Sequence, residues 1–176
     1  MRKVTLYIAM SLDGYIADRD GNVDWLNGQG SNTEDMDTYS IFMKEVDTVI
    51  MGWRTYHQVT TELSPDKWIY SELTSCIITH RTLPSTDNLK FVRDDPCNII
   101  QKLKQEPGWG IWICGGANII QPLIRADLID EYYISIIPTL LGSGIRLWGE
   151  NEEEIKLKLL HTQSYNGIIE LVYTRR

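Results

Sequence analysis

The chain has few of the residues that build disulfide frameworks, metal centres or nucleic-acid interfaces. Among its 176 residues there are three cysteines and three histidines, and no two cysteines stand in a C-x-x-C spacing. We therefore expect no zinc site and no metal cofactor. Lysine and arginine together number 17 against 24 aspartates and glutamates, which gives a net charge of −7. Such a balance argues against nucleic acid or an anionic membrane as a partner.

Long apolar runs and linker-like segments are scarce as well. The apolar run near the N-terminus is too short for a signal peptide or a membrane span, and an odd number of cysteines suits free thiols in a reducing compartment, so we expect a cytoplasmic location. No Ser/Gly/Pro-rich segment divides the chain, which predicts a single domain over residues 1–176. Aromatic residues are abundant, and six Trp and nine Tyr predict a core or pocket with large flat walls.

The most informative stretch is WGIWICGGANIIQPLIRADL, residues 109–128. Residues 110–114 predict a buried strand, Gly115 and Gly116 interrupt it, and an apolar stripe of helical spacing continues to Leu128. A glycine pair between a strand and a helix leaves backbone amides at the positive end of the helix, which suits a diphosphate. The pair also fits a tight turn without any ligand, and the chain lacks the G-x-G-x-x-G spacing of Rossmann folds.

Strands and helices alternate along most of the chain. Buried strands are predicted at residues 4–10, 48–51, 75–79, 89–92 and 132–137, and helices at 36–46, directly after Gly52 and at 95–104. Asn166-Gly167 is a strong hairpin signal between strands at 155–165 and 168–174. This order predicts a three-layer α/β/α fold with a mixed, mostly parallel sheet and an antiparallel C-terminal hairpin.

Two loops that contain glycine follow predicted strands. Residues 11–25 carry Asp13-Gly14 and Asp20-Gly21 around a short apolar patch. This pattern favours a plain β-hairpin, and the alternative is a loop that closes over a ligand. Residues 138–144 contain two glycines and predict a second, mobile loop.

Two arginines follow predicted strand ends. Arg54 stands two residues after Gly52, and Arg81 follows the strand that ends at Thr79. At the carboxyl edge of a parallel sheet both guanidinium groups would lie near the glycine pair, where they could bind a phosphate in a bidentate way. An exposed cation on an ordinary helix is the alternative for Arg54.

Asp35 and Asp37 lie in the first turn of the predicted first helix. Carboxylates are favoured there by the helix dipole, which explains them without catalysis. Because residues two apart on a helix diverge by about 200°, at most one of the two can face a pocket.

Four motifs stand in one order along the chain: IAMSLDGYIA, VIMGWRTY, IITHR, and ICGGANII followed by LIDEYYISIIPTLLGSG. In these motifs the chain resembles the dihydrofolate reductase superfamily, and more closely the C-terminal reductase domain of bifunctional riboflavin-biosynthesis enzymes of the RibD type. The resemblance extends over nearly the whole chain. It implies a dihydrofolate reductase-like fold and NADPH-dependent hydride transfer, with NADPH lying across the carboxyl ends of the strands.

The same resemblance implies roles for individual residues. Contacts with the nicotinamide half of NADPH would come from Ala9, Ile16 and Ala17. The diphosphate and adenosine phosphate side would be held by Gly52, Arg54 and Thr55, and the 2′-phosphate would lie near Thr79, His80 and Arg81. A cradle for the diphosphate would be formed by Gly115, Gly116, Ala117, Asn118 and Ile119.

Two positions depart from the pattern of the superfamily. Ile120 replaces an aromatic residue that is common after the glycines, so the floor under the nicotinamide differs. In dihydrofolate reductases a carboxylate on the first helix binds the pterin, and here two residues compete for that role. Asp35 is our first choice for the catalytic acid and Asp37 the second. If neither aspartate is the acid, the proton would come from water or from Asp13.

The resemblance predicts reduction of a ribosylamino group to a ribityl chain, the reaction of a 5-amino-6-(5-phosphoribosylamino)uracil reductase. For this the protein must align hydride donor and acceptor and provide for one proton. A dihydrofolate or other pterin reductase is the first alternative, and a non-catalytic NADPH-binding module is the second. The apolar run YYISIIPTLL and the dimeric habit of riboflavin-type relatives predict a homodimer.

Overall fold

The protein is described by a computed structural model over residues 1–30, 38–151 and 153–176. The strands in these ranges are β1 (Val4–Ser11), β2 (Tyr15–Ala17), β3 (Val46–Gly52), β4 (Thr74–Ile78), β5 (Leu89–Val92), β6 (Gly110–Gly115), β7 (Glu131–Ile137), β8 (Ile145–Arg146), β9 (Leu157–Tyr165) and β10 (Ile168–Arg175). The helices are α1 (Thr38–Met43), α2 (Trp53–Gln58), α3 (Pro96–Gln105) and α4 (Ala117–Arg125), and a π-helical turn, Val59–Leu63, follows α2. None of these described helices is long and apolar enough to cross a membrane.

Eight strands form one sheet in the order β5-β4-β3-β6-β1-β7-β10-β9. The first six in this order run parallel, whereas β10 pairs antiparallel with both β7 and β9. Helices cover both faces of the sheet, so the predicted three-layer fold with a C-terminal antiparallel hairpin is confirmed.

The central strands are apolar on both faces because both faces are covered. One part of the core packs around α3 and α4 and includes Leu6, Ile113 and Leu123, all fully buried. The other part packs beneath α1 and includes Phe42 and Trp112. Burial of each side chain of this size stabilises the fold by ~1.5–3 kcal/mol. The sheet therefore holds the ends of the loops at its edges in fixed positions.

Local signals in the sequence set several element ends. The Asp95 side chain caps α3 by accepting a hydrogen bond from the Cys97 amide at 2.8 Å, and Pro96 occupies the first helical position. Asn166 and Gly167 both have positive φ, 48° and 76°, as a tight hairpin turn between β9 and β10 requires.

Residues 15–17 do not form the plain hairpin that the turn signals favoured. Instead, β2 pairs antiparallel with β8, from the segment that follows β7. The Leu147 amide donates to the Gly14 carbonyl at 3.0 Å, and Ala17 is only 7% exposed. The prediction was wrong because turn signals report pairing between neighbours in sequence, while the partner of β2 comes from the far half of the chain.

Two predicted helices extend too far toward their C-terminal ends. The described part of the first helix stops at Met43, and Val46 opens β3 instead. α4 stops at Arg125, and Asp127 takes a positive φ of 56° before Leu128. Val46 and Leu128 contribute apolar side chains to the core from outside the helices, which is why the helical spacing included them.

Candidate functional site

The carboxyl ends of the parallel strands meet along one edge of the sheet. These ends are Ser11 of β1, Gly52 of β3, Ile78 of β4, Gly115 of β6 and Ile137 of β7. Ligands of open α/β sheets bind outside this edge. The predicted cofactor residues lie on these strands or in the segments that follow them, so the topology brings them to one side of the molecule.

The glycine pair connects β6 to α4 as predicted. The Gly115-Gly116 peptide bond is cis, and Gly115 has a φ of 146°, a conformation that favours glycine. Gly116 precedes the first residue of α4. A Cβ atom added at either glycine would lie 3.6–3.7 Å from the Thr55 hydroxyl oxygen. The pair and Thr55, predicted from separate motifs, are therefore neighbours.

The first residues of α4 differ in the partners of their backbone amides. The Ile119 and Ile120 amides donate to the Gly116 carbonyl at 2.9 and 3.1 Å, whereas helix geometry gives the amides of Ala117 and Asn118 no partner within the helix. The side chains of Ile119 and Ile120 are buried in the core, 6% and 0% exposed. Any contact of these two residues with a ligand would thus involve the backbone. The buried side chain of Ile120 cannot pack under the nicotinamide ring.

Gly52 has a packing role at the end of β3. A Cβ atom there would lie 3.3 Å from Cγ1 of Ile119, closer than an ordinary contact. The absence of a side chain lets the end of β3 and the start of α4 approach each other at the carboxyl edge.

Arg81 is held over an aromatic ring. Its guanidinium carbon lies 4.7 Å from the centroid of the Trp53 ring, a cation–π arrangement. The Arg81 amide donates to the Thr79 hydroxyl at 3.1 Å, and the Thr79 amide donates to the Val92 carbonyl at 2.9 Å. Thr79 is buried, so it anchors the segment, while Arg81 remains exposed and can still meet a ligand.

Arg54 and His80 are exposed beside this stack. Within the described residues, the ion pairs found do not include Arg54, His80 or Arg81. In the part of the chain that the structure describes, the guanidinium groups of Arg54 and Arg81 thus have no carboxylate partner, which suits an anionic ligand.

The three residues predicted at the nicotinamide side differ in exposure. Ala9 and Ile16 are half-buried, whereas Ala17 is buried. The Gly144 backbone lies against Ala17, because a Cβ atom at Gly144 would sit 2.1 Å from the Ala17 carbonyl oxygen. Ala9 and Ile16 keep surface for a ligand, and Ala17 is mainly occupied by its strand partner.

Asp13 connects two loops at this edge. Its carboxylate accepts hydrogen bonds from the Ser11 hydroxyl at 2.6 Å and from the amides of Leu141 and Gly142 at 3.1 and 2.7 Å. The Ser11 hydroxyl and these amides hold the pKa of Asp13 below its usual value. A carboxyl group that stays ionised is a poor proton donor, so the geometry gives Asp13 an anchoring role. Asp35 and Asp37 lie outside the described residues.

The sequence as a whole matches one family model, the RibD C-terminal domain, over residues 2–169. The chain belongs to the RibD C-terminal domain family. The predicted resemblance is thereby confirmed, and the coarse functional class is that of the RibD-type reductases.

The chain is similar to three known proteins, one by sequence and two by structure. It is 40% identical to YwjB of Bacillus subtilis (strain 168) over 178 residues, 99% of this chain and 98% of YwjB. A protein from Shewanella sp. PV-4, whose name assigns it provisionally to riboflavin biosynthesis, has a similar structure, with a TM-score of 0.82, 30% identity and 99% coverage of both chains. Dihydrofolate reductase from Enterococcus faecalis, complexed with NADP(H), has a TM-score of 0.69 at 14% identity over 98% of this chain and 96% of that one. The last likeness concerns the fold alone.

Sequence reasoning missed two features of this RibD-type domain. Trp53 was visible as an aromatic residue directly after a strand-ending glycine, but its stacking on Arg81 depends on the neighbouring strand. Glu170 lies within the strand predicted at residues 168–174, where no local pattern distinguishes it, and it is only 6% exposed. Its carboxylate accepts hydrogen bonds from Thr38, Ser135, Tyr165 and Gln163.

Two of the three cysteines, Cys76 and Cys114, lie on strands β4 and β6. Burial raises the pKa of Cys76 to about 11 and that of Cys114 to about 12. Both therefore stay protonated at neutral pH and behave as small apolar side chains. Cys114 directly precedes the glycine pair, so the thiol at this point of the strand is a packing group.

Proposed function

We propose that this protein is an NADPH-dependent reductase of the riboflavin-biosynthesis type, which reduces the ribosyl chain of a 5-amino-6-(5-phosphoribosylamino)uracil-like substrate to a ribityl chain. The observation that carries the proposal is the convergence of the glycine pair, Thr55 and the Arg81–Trp53 stack on one edge of the sheet. A dinucleotide with three phosphate groups needs such a place, with open backbone and cations that lack a carboxylate partner.

The residues present fit NADPH. Among the described residues, an added Cβ atom at Gly116 would meet only the Thr55 hydroxyl within 4 Å, so this part of the backbone has room for a ligand. The amides of Ala117 and Asn118 would hold the diphosphate at the positive end of α4. Arg81 would bind the 2′-phosphate with its guanidinium edge, while its face stays on Trp53.

When bound, NADPH supplies the hydride. The chain itself has to orient the acceptor above Ala9 and to keep the loops around residues 13 and 141 closed over the edge. The four polar side chains around Glu170 lie on the substrate side of the same sheet. Among the described residues, these polar side chains would hold the acceptor in position by hydrogen bonds.

The cofactor assignment is tested by titrating NADPH and NADH against the wild-type protein and Arg81→Ala. Charge-assisted hydrogen bonds contribute ~1.5–3 kcal/mol each, so the substitution should weaken NADPH binding roughly ten- to a hundredfold and leave NADH binding nearly unchanged. Arg125→Ala is the matched control, because Arg125 is exposed at the opposite end of α4. Equal losses for NADPH and NADH would contradict recognition of the 2′-phosphate by Arg81.

Turnover distinguishes the alternatives. The proposed enzyme oxidises NADPH only when a ribosylaminopyrimidine is added. Oxidation with dihydrofolate instead would favour a pterin reductase, to which the fold is equally suited. NADPH binding without turnover on either compound would favour a non-catalytic binding module.

The expected homodimer and the cytoplasmic location stay predictions. The exposed side chains of Leu159 and Leu160 on β9, an edge strand of the sheet, are a place where a second copy could bind.

A further inference from the structure

Four residues form a row across four neighbouring strands. In register, Ala9 of β1 stands beside Ser135 of β7, Ser135 beside Glu170 of β10, and Glu170 beside Gln163 of β9. Paired residues point to the same face, and neighbouring strands lie about 4.8 Å apart. Glu170 therefore stands about 10 Å from Ala9, with the small side chain of Ser135 between them.

The row lies on the face that α1 covers. Two residues earlier on β1 and β7, Tyr7 and Tyr133 stack on each other with ring centroids 5.5 Å apart, and Tyr7 stacks on Phe42 of α1 at 4.7 Å. Side chains two residues apart on a strand share a face. Ala9 and Ser135 thus continue this aromatic floor toward the carboxyl edge, and both are half-buried rather than covered.

The Glu170 carboxylate is surrounded by neutral donors. Three hydroxyls, from Thr38, Tyr165 and Ser135, donate to one of its oxygens at 3.0, 3.1 and 3.4 Å, and the Gln163 amide donates to the other. No ion pair found in the described ranges includes this carboxylate. An apolar side chain would pack at such a position without the cost of burying a charge, so packing alone does not account for a carboxylate here.

The carboxylate determines how the neighbouring hydroxyls are oriented. Because Ser135 and Thr38 each give their only hydroxyl proton to Glu170, what they can offer to a further group is lone pairs. Thr38 uses one of these to accept from the Tyr7 hydroxyl at 3.4 Å, and burial raises the pKa of Tyr7, which keeps that proton in place. Ser135, beside Ala9, is left as a hydrogen-bond acceptor.

We propose that Glu170 is the specificity-determining residue on the substrate side of this edge, an inference that rests on the proposed reductase function. By holding Ser135, beside Ala9, and Thr38, beside Tyr7, as hydrogen-bond acceptors, it selects a heterocycle that presents N–H donors, such as an aminopyrimidine. Its negative charge also disfavours an anionic group at the same place, so a phosphate of the substrate has to lie away from the row. Glu170 acts through the two hydroxyls and is a positioning residue.

The test compares two probes by calorimetry, with and without NADPH: 5,6-diaminouracil and its 1,3-dimethyl derivative, which lacks both ring N–H donors. The wild-type protein should bind the first at least tenfold more tightly, because a site built to accept N–H groups rejects an analogue without them. Glu170→Gln keeps the shape and removes the charge, and should reduce that preference to less than threefold. Glu131→Gln should keep it, since Glu131 is half-buried on β7 and bonded to Lys3 at the other end of the strand.

Ser135→Ala provides a second test that needs no change in the buried carboxylate. It removes one acceptor and leaves Glu170 three other donors, so it should lower the preference for the N–H probe while the fold is retained. Preference equal to that of the wild type in both Glu170→Gln and Ser135→Ala would overturn the proposal, and so would failure of the wild-type protein to bind 5,6-diaminouracil. Normal probe selection together with absent NADPH binding would overturn the proposed function and leave the role of Glu170 standing.

Discussion

At the amino end of the parallel strands, Arg2 reaches Asp47, Lys3 reaches Glu131 and Lys104 reaches Asp130. At the carboxyl end, Arg54 and Arg81 are exposed and belong to no ion pair of the described residues, and the carboxylates of Asp13 and Glu170 accept hydrogen bonds from hydroxyls and amides. An ion pair between Lys102 and Asp94, beyond β5, is the exception near this edge.

The two ends of the parallel strands differ in how their charges are partnered, and we relate this difference to their roles. Paired charges at the amino end connect strand starts to one another, and Arg2 also donates to the Trp109 carbonyl at 2.8 Å and to the Thr48 hydroxyl at 2.7 Å. Charges without an ionic partner contribute less to stability and leave their electrostatic potential for a ligand. Substitutions at the amino end should therefore change stability, and substitutions at the carboxyl end should change binding.

The largest effect is expected for Arg2→Met. Arg2 is only 7% exposed, and its loss removes the ionic partner of Asp47 and the hydrogen bond from Arg2 to the Trp109 carbonyl. Hydrogen bonds to a charged group contribute about 1.5–3 kcal/mol each, so we expect a drop of about 3 kcal/mol in the free energy of unfolding in urea, with NADPH affinity unchanged. Lys3→Met is the control, since the Lys3 side chain is 54% exposed and its pair should contribute at most about 1 kcal/mol. A loss of NADPH affinity in Arg2→Met would contradict the claim that charges at the amino end serve stability and charges at the carboxyl end serve binding.

Gly116→Ala should show the opposite behaviour. The φ of Gly116 is −89° and the added methyl group has room, so unfolding should be nearly unchanged. The methyl group would occupy space beside the diphosphate and weaken NADPH binding by about tenfold, or about 1.4 kcal/mol. Gly30→Ala is a matched control, because a Cβ there would make an ordinary 3.5 Å contact with Asn166. If Gly116→Ala instead lowers stability and leaves NADPH affinity intact, the glycine pair serves the fold alone.

A smaller and local effect is expected for Asp13→Asn. The pKa of Asp13 is lowered, so its contribution to loop anchoring is present above the ordinary value of 3.8 and is lost as pH falls through the lower value of the folded state. At neutral pH the asparagine offers one acceptor oxygen where the carboxylate offers two, and the amides of Leu141 and Gly142 should exchange severalfold faster by hydrogen exchange. Asp20→Asn, in the same loop, should leave those two amides unchanged. Unaltered exchange in Asp13→Asn would show that the two loops are held by β2 and β8 without it.

Local patterns in the sequence determined most of the fold. The strand, glycine pair and helix at residues 110–125 and the hairpin at Asn166-Gly167 were predicted because periodicity, capping and turn chemistry act between near neighbours. The placement of Thr55, Arg81 and the glycine pair on one edge also followed, since parallel strands bring their carboxyl ends together.

Only the tertiary structure decided which polar groups meet. From the sequence, Asp13 is a candidate proton source, whereas its contacts with the amides of Leu141 and Gly142 give it an anchoring role. Glu170 reads in sequence as one polar residue in a strand, and its neighbours Ser135 and Thr38 come from β7 and α1. Hydrogen bonds of this kind depend on strand register and on distances between residues far apart in sequence, and a local pattern carries no information about either.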